Sequence, residues 1–369
     1  MKILPNTAMT IQVPGKLMIA GEFAVLEPYQ KLAVMAVNRF VYVTIKPADK
    51  KRITLEKFHL QDIQWDVDNY CVTIYSDDPR VNFVQGALDV ACLYLIEKGI
   101  PIQNVSLHIK SELDDKSTGK KFGLGSSAAV VVGVISAILA FHLDKEPSPM
   151  LIFKLASISH VKAQGNGSGA DVAASSYGGI LQYSSFQAEW LRDTYQKASS
   201  ISELIDMDWD YWSIESIVMP KSIHLCIGWT GSPASTGNLV QRILNLKTTQ
   251  IEKYQTFLKQ SEKAVSNFLQ GAKQENIPLL LQGIKQNREA LVTVGKEAQT
   301  ELETTMIKTL CDLAEEFGGA AKQSGAGGGD CGIAFMPSEE SAKRLEDAWK
   351  KAGIIPLEIK PYRNGALII

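Results

Sequence analysis

The chain has 369 residues, 45% hydrophobic and 21% charged, enough for two domains and a sizeable core and ordinary for a soluble globular protein. Its formal net charge of −2 argues against bulk nucleic-acid binding, though a local basic cleft stays open.

Met1 to Asn6 lead into no apolar run of the kind a secretory leader carries. Thr10-Ile11-Gln12-Val13 predicts a short strand broken by Pro14-Gly15. Lys16 follows that turn, where its ammonium can point into a cleft, although a lysine there is usually just solvated. Leu17 to Ala20 meets a second glycine, Gly21, and the segment from Glu22 stops at Pro28. Leu32 to Ile45 and Ile53 to Tyr75 carry strand chemistry. Phe83 to Gly99 predicts a helix with Phe83, Ala87, Val90, Ala91, Tyr94 and Leu95 on one face. Val105 to Ile109 is a strand, and Ser111 to Lys120 a polar loop.

Next comes Lys120-Lys121-Phe122-Gly123-Leu124-Gly125-Ser126-Ser127-Ala128-Ala129. Two glycines permit a tight turn, Ser126 or Ser127 is placed to cap the helix that follows, and free backbone N–H groups at its start suit a phosphate. The serine hydroxyls are placed to reach Mg²⁺. Taken alone, the stretch reads at least as well as a serine-capped core helix without a ligand. The apolar run from Ala128 to Leu143 contains Gly133, Ser136 and His142 and falls short of the ~20 residues that span a bilayer.

Met150 to Gln164 is helical. Gly165-Asn166-Gly167-Ser168-Gly169-Ala170-Asp171 is a second Gly-rich loop, ending on an acid that opens a small-residue helix. Asp171 either favours the positive end of that helix, worth about 0.3–1 kcal/mol, or faces a ligand. Ile180 to Phe186 is a strand, and Gln187 to Lys221, with Trp190, Trp209 and Trp212, is read as a connection. A strand from Ile223 to Trp229 precedes a hydroxyl-rich turn over residues 230–237. Helices follow over 239–271, 277–294 and 302–317. A third Gly-rich stretch, Ser324-Gly325-Ala326-Gly327-Gly328-Gly329-Asp330-Cys331-Gly332, leads into a buried strand. Ser338 caps the last helix and Gly353 ends it. The mixture argues for an α+β class rather than a regular parallel repeat. The five cysteines form no C-x-x-C pair, which suggests reduced thiols in a cytoplasmic protein.

Pro14-Gly15-Lys16 with Ala20-Gly21-Glu22, then Gly123 to Ala129, then Ser324 to Asp330, in that order, resemble the three motifs of the GHMP small-molecule kinases. The resemblance spans nearly the whole chain. Within that superfamily, Gly21 through Pro28, Lys120-Lys121-Phe122, Gly228-Trp229-Thr230 and Ser324 through Gly332 resemble the bacterial phosphomevalonate kinases. Phe23 stands where mevalonate kinases and galactokinases usually carry His.

The resemblance implies an N-terminal ribosomal protein S5-like domain over 1–190, a connection over 191–219 and a C-terminal ferredoxin-like domain over 220–369. It implies ATP and Mg²⁺, with 5-phosphomevalonate as acceptor and no nucleic acid or membrane as partner. The residues it points to are Lys16, Lys121 and Asp171 for catalysis, Gly123, Leu124, Gly125, Ser126, Ser127 and Ala128 for the nucleotide, and Ser127 and Asp171 for the metal. Ser168, Thr236, Gly325, Ala326, Gly327 and Gly328 are expected at the acceptor, with Lys162 and Lys221 as further cations. Oligomeric state and the choice between Lys120 and Lys121 stay open. So do a mevalonate or homoserine kinase, a diphosphomevalonate decarboxylase and a non-catalytic nucleotide- or RNA-binding module.

Enzymes lower barriers by about 8–23 kcal/mol, while one helix N-terminus offers at most ~2 kcal/mol. Cationic side chains and a metal have to supply much of the rest.

Overall fold

Strand β1 (Met9–Ala20) and the long β2 (Lys31–Pro47) form the antiparallel centre of the first sheet. A computed structural model describes residues 7–115, 118–231 and 236–369, apart from the side chains of 236–238. After β2 come β3 (Arg52–Leu55), β4 (Leu60–Asp68), β5 (Cys71–Ile74), α1 (Asn82–Glu97), β6 (Val105–Ser111), α2 (Ser126–His142), α3 (Pro149–Gln164) and α4 (Ala170–Tyr177). Then follow β7 (Ile180–Ser184), α5 (Ala188–Lys197), α6 (Ile201–Asp206) and β8 (Ser213–Ser216).

The sequence predicts a break at Pro14-Gly15, yet β1 runs through it. Its pairing with β2 shifts register between Pro14 and Gly15, where Asn38 and Arg39 of β2 fall outside the ladder, an irregularity at which the proline's missing donor is tolerated and β1 runs on to Lys16. Helix α2 is apolar nearly all round because it is buried between the sheet and α1, α3 and α4. It approaches so closely that a Cβ on Gly133 would lie 2.7 Å from Val43 Cγ2. Residues 191–219 hold more than a connecting stretch: most of α5, all of α6 and β8 lie there, and β8 extends the first sheet by pairing with β7.

The second sheet uses β9 (His224–Trp229), α7 (Thr236–Thr249), α8 (Ile251–Lys273), α9 (Ile277–Glu297), α10 (Thr305–Glu316), β10 (Ala320–Gln323), β11 (Cys331–Met336), α11 (Glu339–Lys351) and β12 (Ile355–Leu357). Its order is β10-β11-β9-β12, antiparallel throughout, the split βαβ arrangement of a ferredoxin-like unit. The single helix predicted over 239–271 divides at Gln250, whose φ of −148° leaves the helical region. No glycine or proline marks that break. The last strand, β13 (Leu367–Ile368), returns to the first sheet and pairs with β1 at Ile11 and Gln12.

Candidate active site

Two residues past the irregular pairing at Pro14, Lys16 lies at the foot of α2. The Lys16 backbone N–H donates to Leu124 O at 2.9 Å and its Nζ donates to Gly123 O at 3.1 Å. Only 9% of the residue is exposed. Burial pushes the ammonium below the usual lysine range, and the charges of Asp171, Asp330 and Glu22, in that order, pull it partly back. The lysine is therefore held among three carboxylates rather than in solvent.

Neither Ser126 nor Ser127 caps α2. The capping position belongs to Gly125, left-handed at φ 75° and without a side-chain capping bond, a conformation glycine adopts at little cost. A Cβ there would stand 3.0 Å from Lys16 Cγ, 3.1 Å from Lys16 Cε and 3.6 Å from Asp171 Cβ. Lys16 and Asp171 thus both flank Gly125, and the charge of Asp171 acts on the Lys16 ammonium. With no serine oxygen turned back onto it, the opening turn of α2 keeps its backbone donors for an anion.

The third Gly-rich segment closes on the same point. A Cβ on Gly123 would lie 3.0 Å from Asp330 Cβ, and Cys331 Sγ donates to Phe122 O at 3.2 Å. Ser324 Oγ accepts from Met18 N–H at 2.8 Å and donates to Met18 O at 3.0 Å. Glu22 and Lys322 form an ion pair at 2.5 Å, with 4% and 0% of their side chains exposed. The same Glu22 Oε1 accepts the Gly325 N–H at 3.2 Å. The three motifs that carry the resemblance, around Lys16 and Glu22, Gly123 to Ala129 and Ser324 to Asp330, therefore meet.

Two cavities adjoin the meeting point. One, of about 570 Å³, is lined by Phe58, Arg80, Phe83, Lys121, Ser126 and Ser127. Ser127 Oγ also lies 3.4 Å from His160 Nε2. Of the two adjacent lysines, Lys121 is on this lining, whereas Lys120 Nζ donates to Gly231 O at 2.9 Å. Leu124 and Ala128 are buried in the core, so only their backbone is placed to serve a ligand.

The other cavity, of about 730 Å³, is lined by Glu22, Ser168, Arg192, Lys247, Gly325 and Ala326 among others. Gly327 and Gly328 are not on its lining. The Gly328 N–H donates to Leu302 O at 2.8 Å, and a Cβ on Gly327 would strike that same oxygen at 2.4 Å. These two glycines let the loop pack on the chain at Leu302 instead of offering it to a ligand. The side chain of Thr236 lies outside the described residues. Lys162 and Lys221 are absent from the lining, and Lys162 Nζ donates to Tyr195 OH at 3.2 Å.

Sequence reasoning quoted Glu22 and Asp330 within motifs but gave them no role, and it missed Lys322, Arg192 and Lys247. Asp330 stood inside a quoted motif, and its contact with Gly123 was the missing information. Arg192 stood in the stretch read as a connection, and Lys247 carried no signal.

The GHMP kinases N terminal domain family matches residues 82–179 and the GHMP kinases C terminal family matches residues 268–355. A phosphomevalonate kinase of Streptomyces sp. (strain CL190) is 32% identical, over 95% of this chain and 96% of that protein. Among solved structures, a Lin0012 protein from Listeria innocua superposes with a TM-score of 0.92 at 35% identity, covering 98% of this chain and 99% of that one. Streptococcus pneumoniae phosphomevalonate kinase, in complex with phosphomevalonate and AMPPNP, gives a TM-score of 0.82 at 27% identity, covering 96% and 99%.

Proposed function

The chain belongs to the GHMP kinases, and from that premise we propose that it transfers the terminal phosphoryl group of ATP to 5-phosphomevalonate. The products are ADP and 5-diphosphomevalonate, in the mevalonate route to isoprenoids. The observation that carries this reading is the close approach of both Lys16 and Asp171 to Gly125 at the start of α2. Gly125 adjoins Ser126 on the lining of the smaller cavity, and Asp171 lies three positions after Ser168 on the lining of the larger. The nucleotide takes the first cavity and the acceptor the second. The relative crystallised with phosphomevalonate and AMPPNP supports the same pairing of ligands.

The acceptor oxygen belongs to a phosphate monoester whose second pKa is ~6, so it is largely ionised at neutral pH. It attacks the terminal phosphorus, and the bond to the ADP oxygen breaks. No proton has to be removed, so Asp171 needs no role as a base. Catalysis reduces to positioning and charge stabilisation. The Lys16 ammonium and the opening N–H groups of α2 meet the charge on the transferring group, and Asp171 holds Lys16 in place.

Ser127 and Asp171 offer hard oxygen donors of the kind Mg²⁺ takes. Among the described residues no cluster of three His, Cys, Asp or Glu side chains is arranged to hold a metal. Mg²⁺ held by Ser127 and Asp171 would supply neutralisation of phosphate charge. The five cysteines are all unpaired, in keeping with a cytoplasmic setting. Among the described residues no helix is long and apolar enough to cross a membrane.

The test is ADP release from purified protein given ATP, Mg²⁺ and one acceptor at a time. Turnover with 5-phosphomevalonate, and not with mevalonate or homoserine, is expected. Turnover with mevalonate alone overturns the reading in favour of the nearest alternative.

A further inference from the structure

The acceptor reading leaves one end of the substrate unaccounted for. 5-Phosphomevalonate carries a phosphate at one end of its carbon chain and a carboxylate at the other. The phosphate has to reach Lys16 and Gly125, where transfer takes place. The carboxylate then lies farther along the larger cavity and needs a cation of its own, because an unpaired carboxylate taken from water is costly.

The lining of that cavity offers two cations, Lys247 and Arg192. Lys247 is already engaged: its Nζ lies 2.9 Å from both carboxylate oxygens of Glu27, and Tyr254 OH donates to one of them at 2.9 Å. Glu22, an acid on the same lining, is matched by Lys322. Arg192 is different. Among the described residues it makes no ion pair, not even with Glu189, which lines the same cavity from the same helix. It sits on α5, which packs against α3 and α6, so its guanidinium is carried by a framed helix rather than by a glycine loop. A guanidinium presents paired donors that match a carboxylate in bidentate fashion.

We propose that Arg192 receives the acceptor's carboxylate and sets the direction in which the acceptor lies, with its phosphate toward Lys16. The assignment rests on the acceptor reading above and adds a specificity-determining residue to it. Arg192 is exposed, so its replacement leaves the folded chain intact.

The experiment compares two acceptors, 5-phosphomevalonate and the phosphate monoester lacking only its carboxylate, on the full chain and on Arg192→Ala and Arg192→Lys. A charge-assisted contact of this kind corresponds to about a 10- to 100-fold preference. The unaltered protein should favour the carboxylate-bearing acceptor by that factor in kcat/KM. Arg192→Ala should abolish the preference by raising KM for that acceptor, with the KM for ATP and the constants for the truncated acceptor unchanged. Arg192→Lys, which keeps the charge without the fork, should fall between. Equal losses on both acceptors, or no loss on either, overturn the assignment while leaving the acceptor reading standing. An unaltered protein that releases no ADP with 5-phosphomevalonate overturns the acceptor reading itself.

Discussion

Lys322 and Glu22, 300 positions apart in the chain, share a hydrogen bond of 2.5 Å in the protein interior. Lys322 lies on β10 of the second sheet and Glu22 follows β1 of the first. Because Glu22 Oε1 also accepts the Gly325 N–H, one buried pair fixes the third Gly-rich segment against the glycine-flanked segment that follows β1.

Breaking that pair from one side leaves an uncompensated buried charge, which costs about 3–5 kcal/mol. Glu22→Gln and Lys322→Met should each lose stability of that order in urea unfolding. The double variant, which removes both charges, should recover most of it. Full additivity of the two losses would show that the residues do not act as a pair.

Lys16 provides a pH signature. Burial lowers its ammonium from the ordinary value of 10.5, so the charge needed at the phosphates disappears earlier on the alkaline side than for a solvated lysine. The kcat/KM for ATP should fall with an apparent pKa below 10.5, since that ratio reports the free enzyme. Lys16→Ala should lose at least about 100-fold in kcat, and its residual activity should lack the alkaline limb. Persistence of the same limb in Lys16→Ala would assign it to another group.

Gly125→Ala places a methyl group about 3 Å from the Lys16 stem in a left-handed backbone position. Strain and displacement of Lys16 should together cost about 1–3 kcal/mol of stability and most of the activity. A chymotrypsin-resistant, thermally unchanged and fully active variant would contradict the close approach.

Asp171→Asn should reduce kcat about 10- to 100-fold, with extra Mg²⁺ restoring part of the loss. The acidic limb of the pH profile should be unchanged, because the nucleophile arrives ionised. Loss of a single-base titration in this variant would make Asp171 a general base instead.

Much of this arrangement was legible in the chain. The three Gly-rich or glycine-flanked segments, the core helix after Ser127 and the capped helix at Ser338 are local signals, and each occurs where local chemistry puts it. What stayed hidden depends on partners far away in sequence. Pro14 interrupts a strand by its own chemistry, but twelve residues of β1 laid against β2 carry the strand past it. Lys322 sits in a strand that gives no hint of Glu22. The Gly327-Gly328 pair looks like a ligand cradle until the carbonyl of Leu302 is seen occupying it. Gln250 breaks a helix with no breaker residue at all.

The pairing of β13 with β1 bears on how the protein is made. The ribosome adds roughly 5–20 residues per second, so β1 emerges tens of seconds before the strand that covers its outer edge. Throughout that interval a nascent chain with a finished helical layer still presents a row of unmatched amides and carbonyls, open to mispairing with a neighbour on the same polysome. Sealing waits for Leu367 and Ile368, far along the chain, which makes translation speed, as much as sequence, a determinant of yield.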